Sequence, residues 1–444
     1  SVVVKLFIFL LSSHLLFWMY CANFICLCSA FDIICVYLFI HNLLYMAKKK
    51  TDEIIDVKSL SPEEKKKRIA AAIDTLREFS PMVSFLDNAM SNVDSFEDTG
   101  CYVLNALVSG HLRGGFPEAR MSLLAAESST GKTYIALQTA ALAQKAGKQI
   151  VVFDSEFAID HEFATNLGLD TSKIIYFPVK TIEQCKNAVY KFLSNVFDLG
   201  LMGQFFIIID SLGAMISEMD YKRMEKNSSS KDMGSYSQSM KALIKACNNL
   251  AGQTQTTIIC TNHIYDDPSA MFTQLVKPMP GGKIVRYLPT TIVQLSANNV
   301  KGTDKNGKGG DDSKKIFETA QGGSHGEVGI EVRGLGVKNR ICKPFNQAYM
   351  YISFENGLSK YYGLMDLALE LGALKNVGGR IRDAETDEFY GFSKDIQFNA
   401  DFWESFIDKL QPFIEKAWHY KTEAERREAI KKDIEMEQQI LNEE

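Results

Sequence analysis

Ser122-Leu123-Leu124-Ala125-Ala126-Glu127-Ser128-Ser129-Thr130-Gly131-Lys132-Thr133 is the stretch from which the rest of the chain can be read. The short apolar run Ser122–Ala125 reads as a buried strand, and Thr133–Ala146 has helical character. Between them lies a turn rich in hydroxyls, with glycine next to lysine. Backbone N–H groups gathered at a helix N-terminus bind anions by geometry alone, so this strand, loop and helix predict a phosphate-binding loop. Its expected nucleotide contacts are Ala126, Glu127, Ser128, Ser129, Thr130, Gly131, Lys132 and Thr133. Lys132 would neutralise β- and γ-phosphates, and Thr133 would offer its hydroxyl to Mg²⁺. Ala126 stands where the usual motif has its first glycine, whereas Gly131, the stricter requirement, is present.

Working outward, further apolar runs occur at Ile150–Phe153, Phe205–Ile209, Thr257–Cys260 and Ile292–Leu295, with helical or mixed stretches such as Ile182–Phe197 between them. Buried strands alternating with helices predict an α/β core: a mostly parallel sheet covered on both faces. In such sheets ligands bind outside the carboxyl ends of the strands, so the polar residues found there carry the chemistry. Asp210 ends Phe205–Ile209 and is placed to hold Mg²⁺. Glu156 follows the second strand and is a candidate to orient or deprotonate an attacking water. Asn262 and His263 follow Thr257–Cys260, placed to sense a terminal phosphate and relay its presence into the next loop. Singly, each is an ordinary polar residue at a strand end; together, and in this order, they predict a nucleoside triphosphatase.

The flanks are read from turns and charge. Ser61-Pro62-Glu63-Glu64 is a capping box with proline at the first helical position, and Ile69, Ala72, Ile73 and Leu76 follow at helical spacing, predicting a helix from Pro62 to Phe79. Glu218–Asp232, which is polar, and Tyr265–Lys283, with its prolines, Met271 and Phe272, read as long irregular loops inside the core, a kind usually functional or disordered. Asn299–Ser313 reads as a solvated hairpin tip or insertion, and Gly326–Ile352 as a strand-rich end to the core. The expected organisation is a hydrophobic segment over 1–45, a helical region over 46–104 and the α/β core over 105–356. A small helical domain with a charged tail follows over 357–444.

Net charge is −5, so no global basic field points to nucleic acid, although a few basic loops on an acidic body suffice for binding. None of the nine cysteines has zinc-site spacing, and neither a disulfide nor a metal cluster is expected. Residues 1–45 carry only Lys5 and Asp32 as full charges, and Met46 precedes a soluble-looking start. Two readings stand for this segment: translation upstream of Met46, which is the expectation, or a membrane anchor. The first implies no membrane partner.

The order of Glu127–Thr133, Asp154-Ser155-Glu156-Phe157, Ile209-Asp210-Ser211 and Thr261-Asn262-His263 resembles RecA-family recombinases. The Asp-Ser-Glu-Phe and Asn-His variants are more similar to the phage UvsX type than to bacterial RecA. Gly281-Gly282 and Val337-Lys338-Asn339-Arg340 fit the same family. The likeness covers about residues 103–374. It implies an ATP- and Mg²⁺-dependent homo-oligomeric filament on single-stranded DNA that pairs it with double-stranded DNA, with single-strand-binding and loader proteins as partners, in the host cytoplasm if phage-encoded. It implies oligomerisation by the helical region over 46–104 and ATP hydrolysis by the core over 105–356. It implies that Lys338 and Arg340 reach the next subunit's γ-phosphate, the alternative being solvated strand-edge charges. It places Phe163 on adenine, with core packing as competitor. It also makes the two irregular loops DNA-binding, through Lys222, Arg223, Lys226, Lys231, Met271, Phe272 and Lys277. Competing readings are a RecA-fold hexameric helicase and a nucleotide-binding mediator that does not hydrolyse; Glu156 together with Asp210 speaks against the latter.

Overall fold

The computed structural model describes residues 60–80, 83–84, 86, 92–226, 234–266, 275–301, 327–428 and 430–431. Residues 1–84 and 85–444 form separate compact units. In the first, helix α1 (Pro62–Phe79) has the predicted bounds and capping box: the Ser61 side chain accepts from the Glu64 amide while the Glu64 carboxylate accepts from the Ser61 amide. None of its residues is buried, and Ile69, Leu76 and Phe79 are exposed.

The second unit is built on a nine-stranded sheet. Two short strands, β1 (Phe96–Glu97) and β2 (Phe116–Pro117), pair beside it, flanking helix α2 (Tyr102–Ser109). The sheet strands are β3 (Met121–Ala126), β4 (Gln149–Asp154), β5 (Ile174–Pro178), β6 (Phe205–Asp210), β7 (Thr257–His263), β8 (Thr291–Lys301), β9 (Glu327–Asn339), β10 (Gln347–Ser353) and β11 (Gly357–Leu358). Their spatial order is β11-β10-β9-β8-β3-β7-β6-β4-β5, parallel from β8 to β5 and antiparallel from β8 to β11. The expected strands are present, each extended by a few residues. β8 and β9 pair antiparallel; of the expected tip or insertion, Asn299–Lys301 belong to β8, and the rest lies outside the described residues.

Alternation along each strand feeds two cores. Leu124, Val152, Ile208 and Ile259 face one side, against α3 (Lys132–Lys145). Leu123, Val151, Ile207 and Ile258 face the other, against α5 (Ile182–Asp198) and α7 (Ser235–Thr254). Both faces are therefore apolar, which is why the strands read as continuous apolar runs. Between these helices come the short α4 (His161–Asn166) and α6 (Glu218–Glu225), and α8 (Lys283–Tyr287) follows β7.

The C-terminal part was expected to be helical. It contains α9 (Leu364–Glu370), α10 (Ser393–Ile396) and α11 (Ala400–Trp418), and also an antiparallel sheet of β12 (Leu374–Val377), β13 (Arg380–Asp383) and β14 (Phe389–Phe392). Those strands are short and partly polar, so they leave little apolar periodicity to read. This part packs on the same core as α2: Trp403 is fully buried, and Glu404 accepts from the Tyr102 and Tyr361 hydroxyls, both at 2.9 Å. No helix among the described residues is long and apolar enough to cross a membrane. The segment 1–45 lies outside them.

Candidate functional site

Register brings the chemistry together. Asp154 pairs with Asp210 across β4 and β6, and Ala126 pairs with His263 across β3 and β7, so the carboxyl ends of these strands are level. Ala126 is still a buried strand residue with ordinary backbone, which explains why alanine serves where glycine is usual. The left-handed positions come later, at Ser129 (φ 60°) and Gly131 (φ 90°). At Gly131 it is the left-handed backbone that asks for glycine; an added Cβ would also lie 2.7 Å from Ile352 Cδ1, the end of a side chain that can shift. The Thr130 hydroxyl donates to the Glu127 carbonyl at 2.7 Å, tying the loop across its base.

Lys132 is buried, and its ammonium donates to the Glu127 carbonyl at 2.7 Å, folded back over its own loop. Desolvation lowers its pKa, opposed by the charges of Asp210 and Glu156. Thr133 Oγ1 donates to Asp210 Oδ2 at 2.6 Å, and the Thr261 hydroxyl donates to Oδ1. Burial raises the Asp210 pKa, with Glu156 and Asp154 adding to it and the two hydroxyls opposing. A hydroxyl and a carboxylate side by side form a hard-oxygen pair that fits Mg²⁺, which typically takes one or two protein oxygens and completes its shell with phosphate and water. Bound there, the ion would supply positive charge beside the phosphates; Thr133 and Asp210 would hold it.

Glu156 is positioned by its neighbours. Asp154, fully buried, accepts from the backbone amides of Glu156 and Phe157, both at 2.8 Å, from the Ile159 amide at 3.3 Å and from the Tyr176 hydroxyl at 3.1 Å. Phe157 takes a left-handed conformation (φ 56°) inside this wrap. The Glu156 carboxylate then accepts from the Ser211 hydroxyl and sits 2.9 Å from His263 Nε2, through the same oxygen. Partial burial works against its charge, but Ser211, His263 and Lys132 outweigh it and hold the carboxyl below its usual value. Asn262 is buried and faces inward: its amide donates to the Pro280 carbonyl at 3.1 Å, and its carbonyl accepts from the His263 amide at 3.0 Å. It therefore ties the strand end before the second loop to that loop's far end, while His263, partly exposed, faces Glu156.

The family model for the RecA N-terminal domain matches residues 69–359. The chain belongs to the RecA family. Protein RecA of Nocardioides sp. is 27% identical over 266 residues, covering 60% of this chain and 67% of that protein. Protein RecA, plasmid, of Lactococcus lactis is 27% identical over 327 residues, covering 71% and 83%. The chain spans 62% of the Streptomyces rimosus RecA, again at 27% identity. A crystal structure of the RadB recombinase matches 60% of this chain and 99% of its own at 19% identity and a TM-score of 0.40, too low to bear on the site.

Not every expected RecA-type site residue converges here. Lys338 pairs with Ile292 and Asn339 with Thr291, which in turn pairs with Ser122. That puts Lys338 and Arg340 at the amino end of β3, about four residues or ~13 Å down the strand from its loop. Lys338 Nζ donates to the carbonyls of Tyr287 and Pro289, and Arg340 Nη2 to that of Tyr287 at 3.1 Å. Desolvation, with the adjacent Arg340 charge, pushes the Lys338 pKa down to about 8. Phe163 is half-buried, its ring centroid 6.3 Å from that of Tyr134.

Of the first polar loop, Glu218–Glu225 is helix rather than irregular chain. Ser217 caps it by accepting from the Asp220 amide, and the Glu218–Lys222 pair at 2.7 Å supports it, a Ser-x-x-Asp signal passed over in the sequence. Arg223 pairs with Asp220 at 3.3 Å, and Lys226 is exposed at its end. Lys231, Met271 and Phe272 lie outside the described residues. Lys277 is held by Glu127 at 2.7 Å and Asp266 at 2.9 Å. Sequence reasoning also gave no role to Asp154, Ser211 or Thr261, whose partners are set by the loop wrap and by strand register.

Proposed function

We propose that this chain is an ATP-dependent DNA strand-exchange protein of the phage type, assembling as a filament on single-stranded DNA and testing homology by pairing with a duplex. The observation that carries the reading is the separation within one protomer. Lys132, Asp210, Glu156 and His263 meet at one end of the sheet, while Lys338 and Arg340 stand at the other, beyond reach of their own site. A second copy is the natural supplier of the missing cations, so hydrolysis would depend on assembly. In the step proposed, water attacks the γ-phosphorus, its bond to the β–γ bridging oxygen breaks, and the water proton passes to Glu156. Lys132 binds the phosphates, Thr133 and Asp210 hold Mg²⁺, and His263 reports the terminal phosphate to the second loop. Phe163, beside Tyr134, is the proposed adenine contact.

The bare apolar stripe of α1 supports an oligomerisation role for residues 46–104, because an amphipathic helix gains most of its stability by packing that stripe. The basic residues of the two loops are proposed to meet DNA phosphates, and Met271 and Phe272 to stack on bases. The phage assignment rests on Asp154-Ser155-Glu156-Phe157 and Asn262-His263. Strand exchange between homologous DNAs with ATP, set beside a heterologous control, tests the whole reading: exchange is expected only with homology. Electron microscopy should show open filaments; closed rings would point to a helicase.

A further inference from the structure

The end of β6 is joined to the loop after β4 by a reciprocal serine clamp. The Ser155 hydroxyl accepts from the Ser211 amide at 2.9 Å and lies 2.9 Å from the Ser211 carbonyl, to which it donates. The Ser155 amide in turn donates to the Asp210 carbonyl at 2.7 Å. These bonds fix the Ser211 backbone, and its side chain is fully buried. The Ser211 hydroxyl spends its proton on Glu156 Oε1 and lies 3.4 Å from His263 Nε2. Glu156 Oε1 therefore receives both donors, and Oε2 has no partner among the described residues.

The two donors differ in freedom. The His263 side chain is 36% exposed and sits at the last residue of β7, where the chain enters the second loop. Ser211 is pinned on both flanks. Among the described residues the charged groups facing Glu156 are Lys132, His263 and Asp210. Of these, Lys132 and His263 are assigned to the phosphates when nucleotide binds, so neither can fix the carboxylate throughout the cycle.

We propose that Ser211 is the positioning residue for Glu156: its buried hydroxyl holds one carboxylate oxygen, turns the other toward the site, and keeps that aim when His263 swings to the terminal phosphate. This rests on the reading of Glu156 as the base. A base must lie within hydrogen-bond reach of the proton it takes, and a carboxylate free to rotate loses that fraction of its time.

The experiment is single-stranded-DNA-stimulated ATP turnover by the full chain, comparing wild type with Glu156→Gln, Ser211→Ala, Ser211→Thr and the Glu156→Gln/Ser211→Ala pair. Ser211→Ala is expected to lower kcat by about tenfold with KM for ATP unchanged, and to move the acid limb of the pH–kcat profile upward, since a donor to the carboxylate is gone. Ser211→Thr, which keeps the hydroxyl, restores most of the rate. In the Glu156→Gln background Ser211→Ala costs nothing further, the signature of one residue acting through another. Should the alanine variant not fold, Ser211→Cys, of similar size but a poor donor, carries the same expectations. A wild-type kcat in the folded variant, or an equal loss in both backgrounds, overturns the proposal. Full activity of Glu156→Gln would instead overturn the assignment of the base, a separable failure.

Discussion

At the carboxyl ends of β3, β4, β6 and β7, each charged group faces an opposite charge or a hydroxyl of the same chain: Glu156 faces His263 and Ser211, Asp210 faces Thr133 and Thr261, and Lys132 lies among the carboxylates. At the amino end of β3, Lys338 and Arg340 have only the carbonyls of Tyr287 and Pro289, and no carboxylate among the described residues pairs with them. Two neighbouring cations capped by neutral oxygens, one of them with its charge disfavoured by burial, form an arrangement that an incoming anion would stabilise. On the proposed function, the first end would serve chemistry within a protomer and the second would complete it in a neighbour.

The comparison breaks most sharply at Lys132. Lys132→Ala is expected to abolish ATP turnover, by about a thousandfold or more, and to weaken nucleotide binding in equilibrium titration. Arg340→Ala should bind ATP as wild type does yet lose DNA stimulation, about a hundredfold in stimulated kcat. Unchanged stimulation would remove the cross-protomer role and leave the second end a structural edge.

A pH titration sharpens the contrast. Lys338 is charged below about 8 and neutral above it, so contacts that need its charge weaken as pH rises through that value. Sedimentation should show ATP-dependent assembly falling several-fold between about pH 7.5 and 9, and Lys338→Arg should flatten the curve, because guanidinium keeps its proton. The smallest effect is expected at Lys277, whose partners Glu127 and Asp266 are largely exposed. Lys277→Ala should weaken single-stranded DNA binding only a few-fold and reduce the salt slope by about one, with little change in stability.

The central strands were legible because burial on both faces writes itself as an unbroken apolar run, and the strand-end groups because that topology says where to look. β5 was not: Ile175 and Tyr176 are exposed on this edge strand, and Pro178 ends it. Nor was α2, buried from Tyr102 to Ser109 and so lacking the polar face that marks a helix. Within the candidate site, Glu156, Asp210, His263 and the loop before Thr133 could be placed together by residue type and position. Ser211 and Thr261 could not, because their roles depend on which carboxylate lies opposite, a fact of register and not of local sequence. Glu218–Glu225 was missed for the opposite reason: a cap and an ion pair make a helix that has no apolar stripe.

Ile352 belongs to β10, far along the antiparallel half of the sheet, yet its terminal methyl lies 2.7 Å from where a Cβ at residue 131 would sit. The candidate phosphate loop thus has two locks at this residue, a firm one of handedness and a weaker one set by a distant side chain that can move. Trimming Ile352 would open the second lock and leave the first shut. Space alone therefore cannot make alanine welcome at that point, because the backbone would still be left-handed.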